Sequence, residues 1–202
     1  GTMDPEVAKG IANFMHAHSL APSAAAAAQP EFCGISSLMD VGCGSGVYGI
    51  AMASAHRDMQ VTLMDLKEMT DQAARYVEAV GLADRITLAS VNMFEAAWPT
   101  GHEAHFFANI FHDWSEETNA IIAAKSFAAL PSGGCIFLSE ILMDEEEDGP
   151  WAAAAFSLMM LTGTLGKQYS LAELRTILEG AGFQDVRAMR TGGGYYSLVS
   201  AT

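Results

Sequence analysis

Short apolar runs that end in a glycine or a polar residue alternate along the chain with longer segments of helical periodicity. The apolar runs predict strands at residues 37–41, 60–64, 85–90, 104–110 and 134–142. Helical patterns follow at residues 46–56, 68–80, 115–130, 151–161 and 171–181. Strands and helices that alternate in this order form parallel βαβ units, and ligands bind beyond the carboxyl ends of such strands.

The N-terminal part of the chain departs from this alternation. Residues 1–3 carry no pattern, and we expect them to be a tag remnant. Asp4 has the character of an N-cap and Pro5 suits the first helical position, so a helix is predicted from there to about residue 19. A second, short helix is predicted over the alanine run that precedes Pro30.

The C-terminal part predicts a β-hairpin. Residues 185–189 and 195–199 have strand character, and the glycine-rich segment 191–194 joins them. Together with the five parallel strands, this gives an α/β fold with a seven-stranded, mostly parallel sheet that ends in an antiparallel hairpin strand. We divide the chain into an N-terminal helical segment, residues 4–35, and a main domain, residues 36–202.

Composition and charge exclude several classes of protein. Half of the 202 residues are apolar and 17% are charged, which is typical of one folded domain and excludes disorder. The chain has 10 Lys and Arg residues and 24 acidic residues, which gives a net charge of −14. Because a nucleic-acid-binding surface needs an excess of basic residues, we expect no nucleic-acid partner. No apolar run approaches the roughly 20 residues that span a bilayer, so we expect no membrane partner.

Metal binding and disulfides are also not expected. The three cysteines, Cys33, Cys43 and Cys135, are too few and too scattered for a disulfide framework or a zinc site, which favours a cytoplasmic protein. The acidic run at residues 143–148 lacks the glycine and the terminal acid of a calcium-binding loop, and we interpret it as a solvated loop.

A glycine-rich loop and an acid predict a nucleoside-binding site. Asp40 and Val41 end the first strand, and the glycines of the sequence DVGCGSG follow them. Val47 occupies the place of the third glycine of a dinucleotide fingerprint. Asp65 follows Gly44 by 21 residues, where a carboxylate can accept hydrogen bonds from both hydroxyls of a ribose. Each feature alone also fits a tight turn or an ordinary acid, but the combination favours a nucleoside site.

Several motifs carry a resemblance to one family. DVGCGSG, VTLMDL, NMFE, IFHDWSEE, LPSGGCIFLSEIL and SLAELRTILEGAGF resemble the S-adenosylmethionine-dependent small-molecule O-methyltransferases, and the likeness extends over residues 14–199. That family includes plant phenylpropanoid and flavonoid enzymes, hydroxyindole enzymes and bacterial polyketide enzymes. The resemblance implies a Rossmann-like class I methyltransferase. It would transfer a methyl group from S-adenosylmethionine to a hydroxyl of a small aromatic molecule and release S-adenosylhomocysteine.

The resemblance implies a catalytic histidine and its partners. His112, in HDW, matches the family's general base, and histidine titrates near neutral pH. Glu140 matches the acid that hydrogen-bonds this histidine, although an acid next to an acidic loop could also be merely solvated. The family's second flanking acid is replaced by Gln168, which can form a hydrogen bond but cannot hold a charge.

Cofactor and acceptor residues follow from the same resemblance. The implied cofactor residues are Ser19, Asp40, Gly42, Gly44, Gly46, Asp65, Leu66, Asn92 and Met93, with Asn92 in the place of the family's aspartate. The implied acceptor residues are Met15, Asp113, Phe156, Met159 and Met160, although a methionine-rich helix also fits a plain core. Residues 4–35 would then cover the cofactor, and residues 36–202 would bind it and catalyse the transfer.

Two alternatives remain at this point. One is a cofactor-binding or dimerisation module without catalytic activity, which the departures from the family pattern at Asn92 and Gln168 suggest. A nicotinamide-dependent oxidoreductase is less favoured because the third glycine is missing. Family members usually carry an N-terminal helical dimerisation region ahead of this domain. The resemblance therefore implies a homodimer, weakened where that region has been removed.

Overall fold

A central β-sheet runs through the computed structural model, which describes residues 4–192 and 194–202. The strands are β1 (Ser37–Val41), β2 (Gln60–Asp65), β3 (Ile86–Ser90), β4 (Ala104–Ala108), β5 (Cys135–Glu140), β6 (Arg187–Arg190) and β7 (Ser197–Ala201). The α-helices are α1 (Pro5–Ala27), α2 (Val47–Ala55), α3 (Lys67–Ala79), α4 (Glu116–Ala129), α5 (Trp151–Gly163) and α6 (Leu171–Ala181). Short 3-10 turns occupy Pro30–Phe32 and Phe111–Asp113. The predicted tag remnant, residues 1–3, and Gly193 of the predicted hairpin loop lie outside the described residues.

The sheet topology creates a ligand-binding edge between β1 and β4. Over the described residues, the seven strands lie in the order β3-β2-β1-β4-β5-β7-β6. Only the pairs β5–β7 and β6–β7 are antiparallel. β2 and β3 are added on one side of β1, and β4 and β5 are added on its other side, so the order of the strands reverses between β1 and β4. In parallel sheets, ligands bind beyond the carboxyl ends of the strands at such a switch point. The predicted α/β fold with its mostly parallel sheet and antiparallel hairpin is confirmed.

Two apolar clusters cover the two faces of the sheet. Leu38 belongs to the cluster that includes Met52 of α2, whereas its neighbour Met39 belongs to the cluster that includes Ile122 of α4. Successive side chains of a strand point to opposite faces, so both faces of β1 are buried. This double burial explains why the central strands are continuous apolar runs rather than alternating ones.

The prediction of two N-terminal helices is wrong, because α1 is a single helix of 23 residues. The side chain of Asp4 caps it as expected, accepting hydrogen bonds from the backbone nitrogens of Glu6 and Val7 at 2.8 and 3.3 Å. Pro22 lies inside the helix and removes one backbone hydrogen bond. The alanines on its C-terminal side favour helix, and Ala26 and Ala27 are buried in the core, which offsets that loss.

The strand predicted for residues 104–110 is also shorter than expected. β4 ends at Ala108, and Asn109 has a left-handed backbone, with φ 56°. The backbone N–H groups of Ile110 and Phe111 then leave the sheet to donate to the Glu140 side chain. Each remaining predicted element has its observed bounds within two residues of the expected ones.

Within 4–192 and 194–202, every helix is too short or too polar to cross a bilayer.

Candidate active site

The loop between β1 and α2 depends on its glycines. Gly42, Gly44 and Gly46 have left-handed backbones, with φ of 70°, 58° and 76°. A Cβ on Gly42 would overlap the Ile110 side chain, and one on Gly46 would lie 2.6 Å from Leu63 Cδ1. A Cβ on Gly44 would meet no atom within 4 Å, so the loop leaves open space at that point.

Two carboxylates lie beneath this loop, the buried Asp40 and the half-buried Asp65. Asp65 accepts hydrogen bonds from the backbone nitrogens of Gly44 at 2.8 Å and Leu66 at 2.7 Å, one with each oxygen. Burial raises the pKa of Asp65, and these two hydrogen bonds oppose the rise. Asp40 accepts a hydrogen bond from the Gly49 nitrogen at 3.0 Å, and burial raises its pKa to about 7. Each Asp65 oxygen keeps a lone pair for a ligand.

Two cavities meet at the carboxyl edge of the sheet, and both are lined by Gly42, Asp65, Ile110 and Asp113. We call the cavity under α1 the first cavity and the one beside β3 the second cavity. Of the predicted site residues, the first cavity is also lined by Met15, Ser19, Asp40 and Gly44. The second is also lined by Leu66, Asn92 and Met93. The structure thus brings most of the predicted cofactor residues around one elongated cleft.

Met93 and Phe94 form an apolar wall of the second cavity, and hydrogen bonds from α4 hold their backbone in place. Lys125 of α4 donates hydrogen bonds to the carbonyls of Met93 and Phe94, at 2.7 and 2.9 Å. The side-chain oxygen of Asn92 accepts a hydrogen bond from the Phe94 nitrogen at 3.0 Å, which closes a tight turn. The Phe94 ring packs edge-on against Trp114, with centroids 4.8 Å apart. These contacts hold the Met93–Phe94 segment and Trp114 in place at the wall of the second cavity.

Glu140 holds His112 and the turn that carries it. His112 is only 7% exposed, and its Nδ1 lies 2.9 Å from Glu140 Oε2. The other Glu140 oxygen accepts hydrogen bonds from the nitrogens of Ile110 and Phe111, at 3.1 and 3.0 Å. The Gln168 amide lies 3.2 Å from the same Nδ1 and brings no charge. A carboxylate only accepts, so the contact with Glu140 calls for a proton on Nδ1, which leaves Nε2 with a free electron pair. The Gln168 side-chain nitrogen is a donor and does not bond to Nδ1 in that tautomer.

The charges around His112 favour its protonated form. Burial lowers the pKa of His112, but the charge and hydrogen bond of Glu140, together with the charge of Asp113, outweigh burial and raise it overall. Asp113 Oδ1 lies 3.6 Å from His112 Nε2. Burial raises the pKa of Asp113 as well. His112 can therefore take a proton at Nε2 and hold it between two carboxylates.

Neighbouring segments lock the turn in place. Asn119 and Tyr169 both donate to the Trp114 carbonyl, at 3.1 and 2.6 Å. Gly166 passes so close that a Cβ there would overlap the His112 carbonyl oxygen and lie 2.7 Å from the Trp114 nitrogen. Such tight packing leaves His112 little freedom to move.

The predicted acceptor residues are divided between two helices. Met15 of α1 lines the first cavity. Phe156, on α5, has its ring 6.1 Å from that of His18 on α1. Met159 is 55% exposed and Met160 is half-buried, and neither cavity is lined by these three α5 residues. The structure therefore places Met15 and Asp113 at the cleft but leaves the α5 residues outside it.

Sequence reasoning missed three polar residues near the first cavity. Tyr48, on the first turn of α2, and Asn109, after β4, both line it. The Tyr196 hydroxyl donates to Asn109 Oδ1 at 3.0 Å, although the two residues are 87 positions apart. Tyr48 lies two residues after the last glycine of the loop, and Asn109 directly precedes IFHDW. These positions are the only sequence hints, and Tyr196 has none.

Comparisons with known proteins agree with this geometry. A family model described as an O-methyltransferase domain matches residues 1–184. The chain is 38% identical over 164 residues to a 3-hydroxy-5-methyl-1-naphthoate 3-O-methyltransferase of Streptomyces sahachiroi, covering 81% of this chain and 48% of that protein. It is 31% identical over 163 residues to the acetylserotonin O-methyltransferase of Bos taurus, covering 81% of this chain and 47% of the relative. The chain thus spans about half the length of these curated relatives.

A solved structure shows the same fold. It is an O-methyltransferase from neocarzinostatin biosynthesis in complex with S-adenosylmethionine and 2-hydroxy-5-methyl naphthoic acid. The TM-score is 0.88 at 28% sequence identity, over 98% of this chain and 58% of that one. Over nearly the whole of this chain, the two backbones therefore follow the same path.

The packing of Gly166 gives a testable prediction. Gly166→Ala should lower the free energy of unfolding by about 1–3 kcal/mol, because the new Cβ must push the His112 turn aside. Urea denaturation measures this directly. Gly163→Ala is the matched control, because a Cβ there meets no atom within 4 Å. Equal stabilities of the two variants would contradict the tight packing.

Proposed function

Because the chain belongs to the O-methyltransferase domain family, we propose that it transfers the methyl group of S-adenosylmethionine to a hydroxyl of a small aromatic molecule. The observation that carries the proposal is the His112–Glu140 pair: Nδ1 is held by the carboxylate and Nε2 faces Asp113, which lines both cavities. A buried histidine that contacts a carboxylate and lies next to a side chain of the cleft suits removal of a hydroxyl proton.

The cleft fits the proposed cofactor. The apolar side chains of Met93 and Phe94 in the wall of the second cavity suit contact with an adenine ring, and Asp65 suits the ribose hydroxyls. The open space at Gly44 allows a ligand to approach the backbone closely. S-adenosylmethionine supplies an electrophilic methyl group on a positively charged sulfur, and the acids around the cleft complement that charge. In this proposal, residues 4–35 cover the cofactor, and residues 36–202 bind it and catalyse the transfer.

His112 has the central chemical role. Its Nε2 accepts the proton of the acceptor hydroxyl while the oxygen bonds to the methyl carbon and the C–S electron pair stays on sulfur. The resulting imidazolium lies between the Glu140 and Asp113 carboxylates, which stabilise its charge. Gln168 contacts the ring without adding a third negative charge. Holding the reactants in line supplies a further part of the rate enhancement.

An aromatic acceptor is the finer part of the proposal. The relatives named above are a naphthoate and an acetylserotonin O-methyltransferase, and both of those acceptors contain fused rings. Met15 and Asp113 line the first cavity, and His112, which lines neither cavity, lies with its Nε2 3.6 Å from Asp113 Oδ1. The cytoplasmic location and the homodimer stay predictions.

A silent cofactor-binding module remains the alternative, since Gln168 lies where the resembled family has an acid. Incubating the chain with S-adenosylmethionine and a panel of naphthols and hydroxyindoles separates the two possibilities. Methylated product supports the enzyme. Cofactor binding without any product would favour the silent module.

The ribose assignment predicts a loss of cofactor affinity. Asp65→Ala should weaken S-adenosylmethionine binding by about 1.5–3 kcal/mol, because hydrogen bonds between a carboxylate and the ribose hydroxyls are lost. Calorimetry measures the change. Asp71→Ala is the control, since Asp71 is an exposed acid on α3 that pairs with Lys67 at 2.7 Å. If both variants bind like the parent, Asp65 does not hold the ribose.

The general-base assignment predicts a loss of turnover. His112→Gln should slow methyl transfer about 10²–10⁴-fold and leave cofactor binding intact, because only proton removal is impaired. In the parent, kcat/KM should fall as the pH drops through a pKa above the ordinary histidine value of 6.5, since the neutral form is the active one. His56→Gln, which changes a histidine bonded to the Ala27 carbonyl, is the control. Near-parental turnover of His112→Gln would rule out the role.

A further inference from the structure

Lys125, in the middle of α4, is used differently from the other lysines. Over residues 4–192 and 194–202, the others form ion pairs with acids; they are Lys9, Lys67 and Lys167. Lys125 forms none there and instead donates to the backbone carbonyls of Met93 and Phe94, at 2.7 and 2.9 Å. Hydrogen bonds from a charged donor are stronger than those from a neutral one. In a chain with 24 acidic residues, a cation bonded to two adjacent carbonyls points to a role for this Met93–Phe94 turn.

The turn that Lys125 holds belongs to a segment without regular secondary structure. Residues 91–103 connect β3 to β4 and contain neither helix nor strand. The Met93 carbonyl also accepts a hydrogen bond from Trp98 Nε1, at 2.8 Å, and the Lys125 ammonium lies 6.0 Å from the centre of the Trp98 ring. A backbone outside helices and strands takes its hydrogen bonds from such side chains. The shape of the turn therefore depends on Lys125 and Trp98.

The side chains of the turn border open space on the side away from α4. Met93 is half-buried and Phe94 is 36% exposed, and both line the second cavity. Side chains that face a cavity receive no packing from that side, so their positions depend on the contacts behind them. Lys125 supplies two of these contacts and lines neither cavity itself. Its effect on a bound ligand must pass through the turn.

These contacts give Lys125 a role in the proposed reaction. Resting on the proposed function, which puts the adenine ring against Met93 and Phe94, we propose that Lys125 is a positioning residue for cofactor binding. Its ammonium group holds the two carbonyls and so keeps the two side chains where an adenine ring meets them. Without Lys125 the turn has to be ordered when the cofactor binds, and the free-energy cost of that ordering lowers the affinity.

Two ligands that share the adenosine part provide the test. S-adenosylhomocysteine carries an amino-acid end, and 5′-methylthioadenosine lacks it. Lys125→Met keeps an unbranched apolar side chain and removes the donor. By calorimetry, it should weaken the binding of both ligands about 5–50-fold and by the same factor, because both place an adenine ring against the turn. Lys125→Arg keeps a charged donor with several N–H groups and should bind both ligands within about 3-fold of the parent.

Two control variants separate positioning from stability and from net charge. Val77→Ala removes buried methyl groups from the apolar cluster on the other face of the sheet, so it lowers stability without changing the turn. Lys9→Met removes the charge of an exposed lysine that pairs with Glu6 on α1. Both controls should bind the two ligands like the parent. Thermal unfolding without ligand measures the stability of each variant and verifies that it is folded during the titration.

Each outcome decides the matter. A loss of affinity in Lys125→Met that is equal for both ligands, recovered in Lys125→Arg and absent from the controls supports the proposal. An unchanged affinity, a loss confined to one ligand, a loss that Lys125→Arg does not recover or an equal loss in Val77→Ala would overturn it while leaving the cofactor itself in place. A parent chain that binds neither ligand would overturn the proposed function, and the role of Lys125 with it.

Discussion

The Glu140 carboxylate at the end of β5 is the interaction on which the site depends. It is 3% exposed, and such a buried charge is tolerated only with close partners. One oxygen accepts two backbone N–H groups after β4, and the other faces His112 Nδ1. The same group therefore turns the chain out of the sheet and selects the histidine tautomer. Removing it would take two hydrogen bonds from the turn and the carboxylate partner from the ring.

The cleft is formed jointly by the sheet and by α1. The β1–β4 switch point supplies the glycine loop, and α1 lies over it with Met15 and Ser19 toward the first cavity. His16 attaches the helix at this place, because its ring stacks on Tyr76 at 3.9 Å and its Nδ1 lies 3.2 Å from the Ser45 hydroxyl in the loop. His18 of α1 also contacts this region, since its Nε2 lies 3.2 Å from the Tyr196 hydroxyl, which donates to Asn109 in the wall of the first cavity. Cofactor binding and the docking of α1 are thus physically linked.

Local patterns account for what could be predicted from the sequence. Strand bounds follow from short apolar runs, and the glycine loop and Asp65 follow from chemistry that lies within one βαβ unit. Long-range contacts account for what could not. The end of β4 is set by Glu140, 30 positions from Ile110, and α1 continues past Pro22 because its alanines are buried. Tyr196 and Asn109 come into contact only when the hairpin is folded, so no local sequence motif predicts their contact.

The protonation of His112 tests the central claim most directly. Nitrogen NMR of the imidazole ring, at a pH above the pKa of His112, distinguishes the two neutral tautomers. With Glu140 as the anchor, the proton resides on Nδ1 and Nε2 is bare and able to accept a proton from a hydroxyl. A proton found on Nε2 instead would contradict both the role of Glu140 and the assignment of His112 as the base.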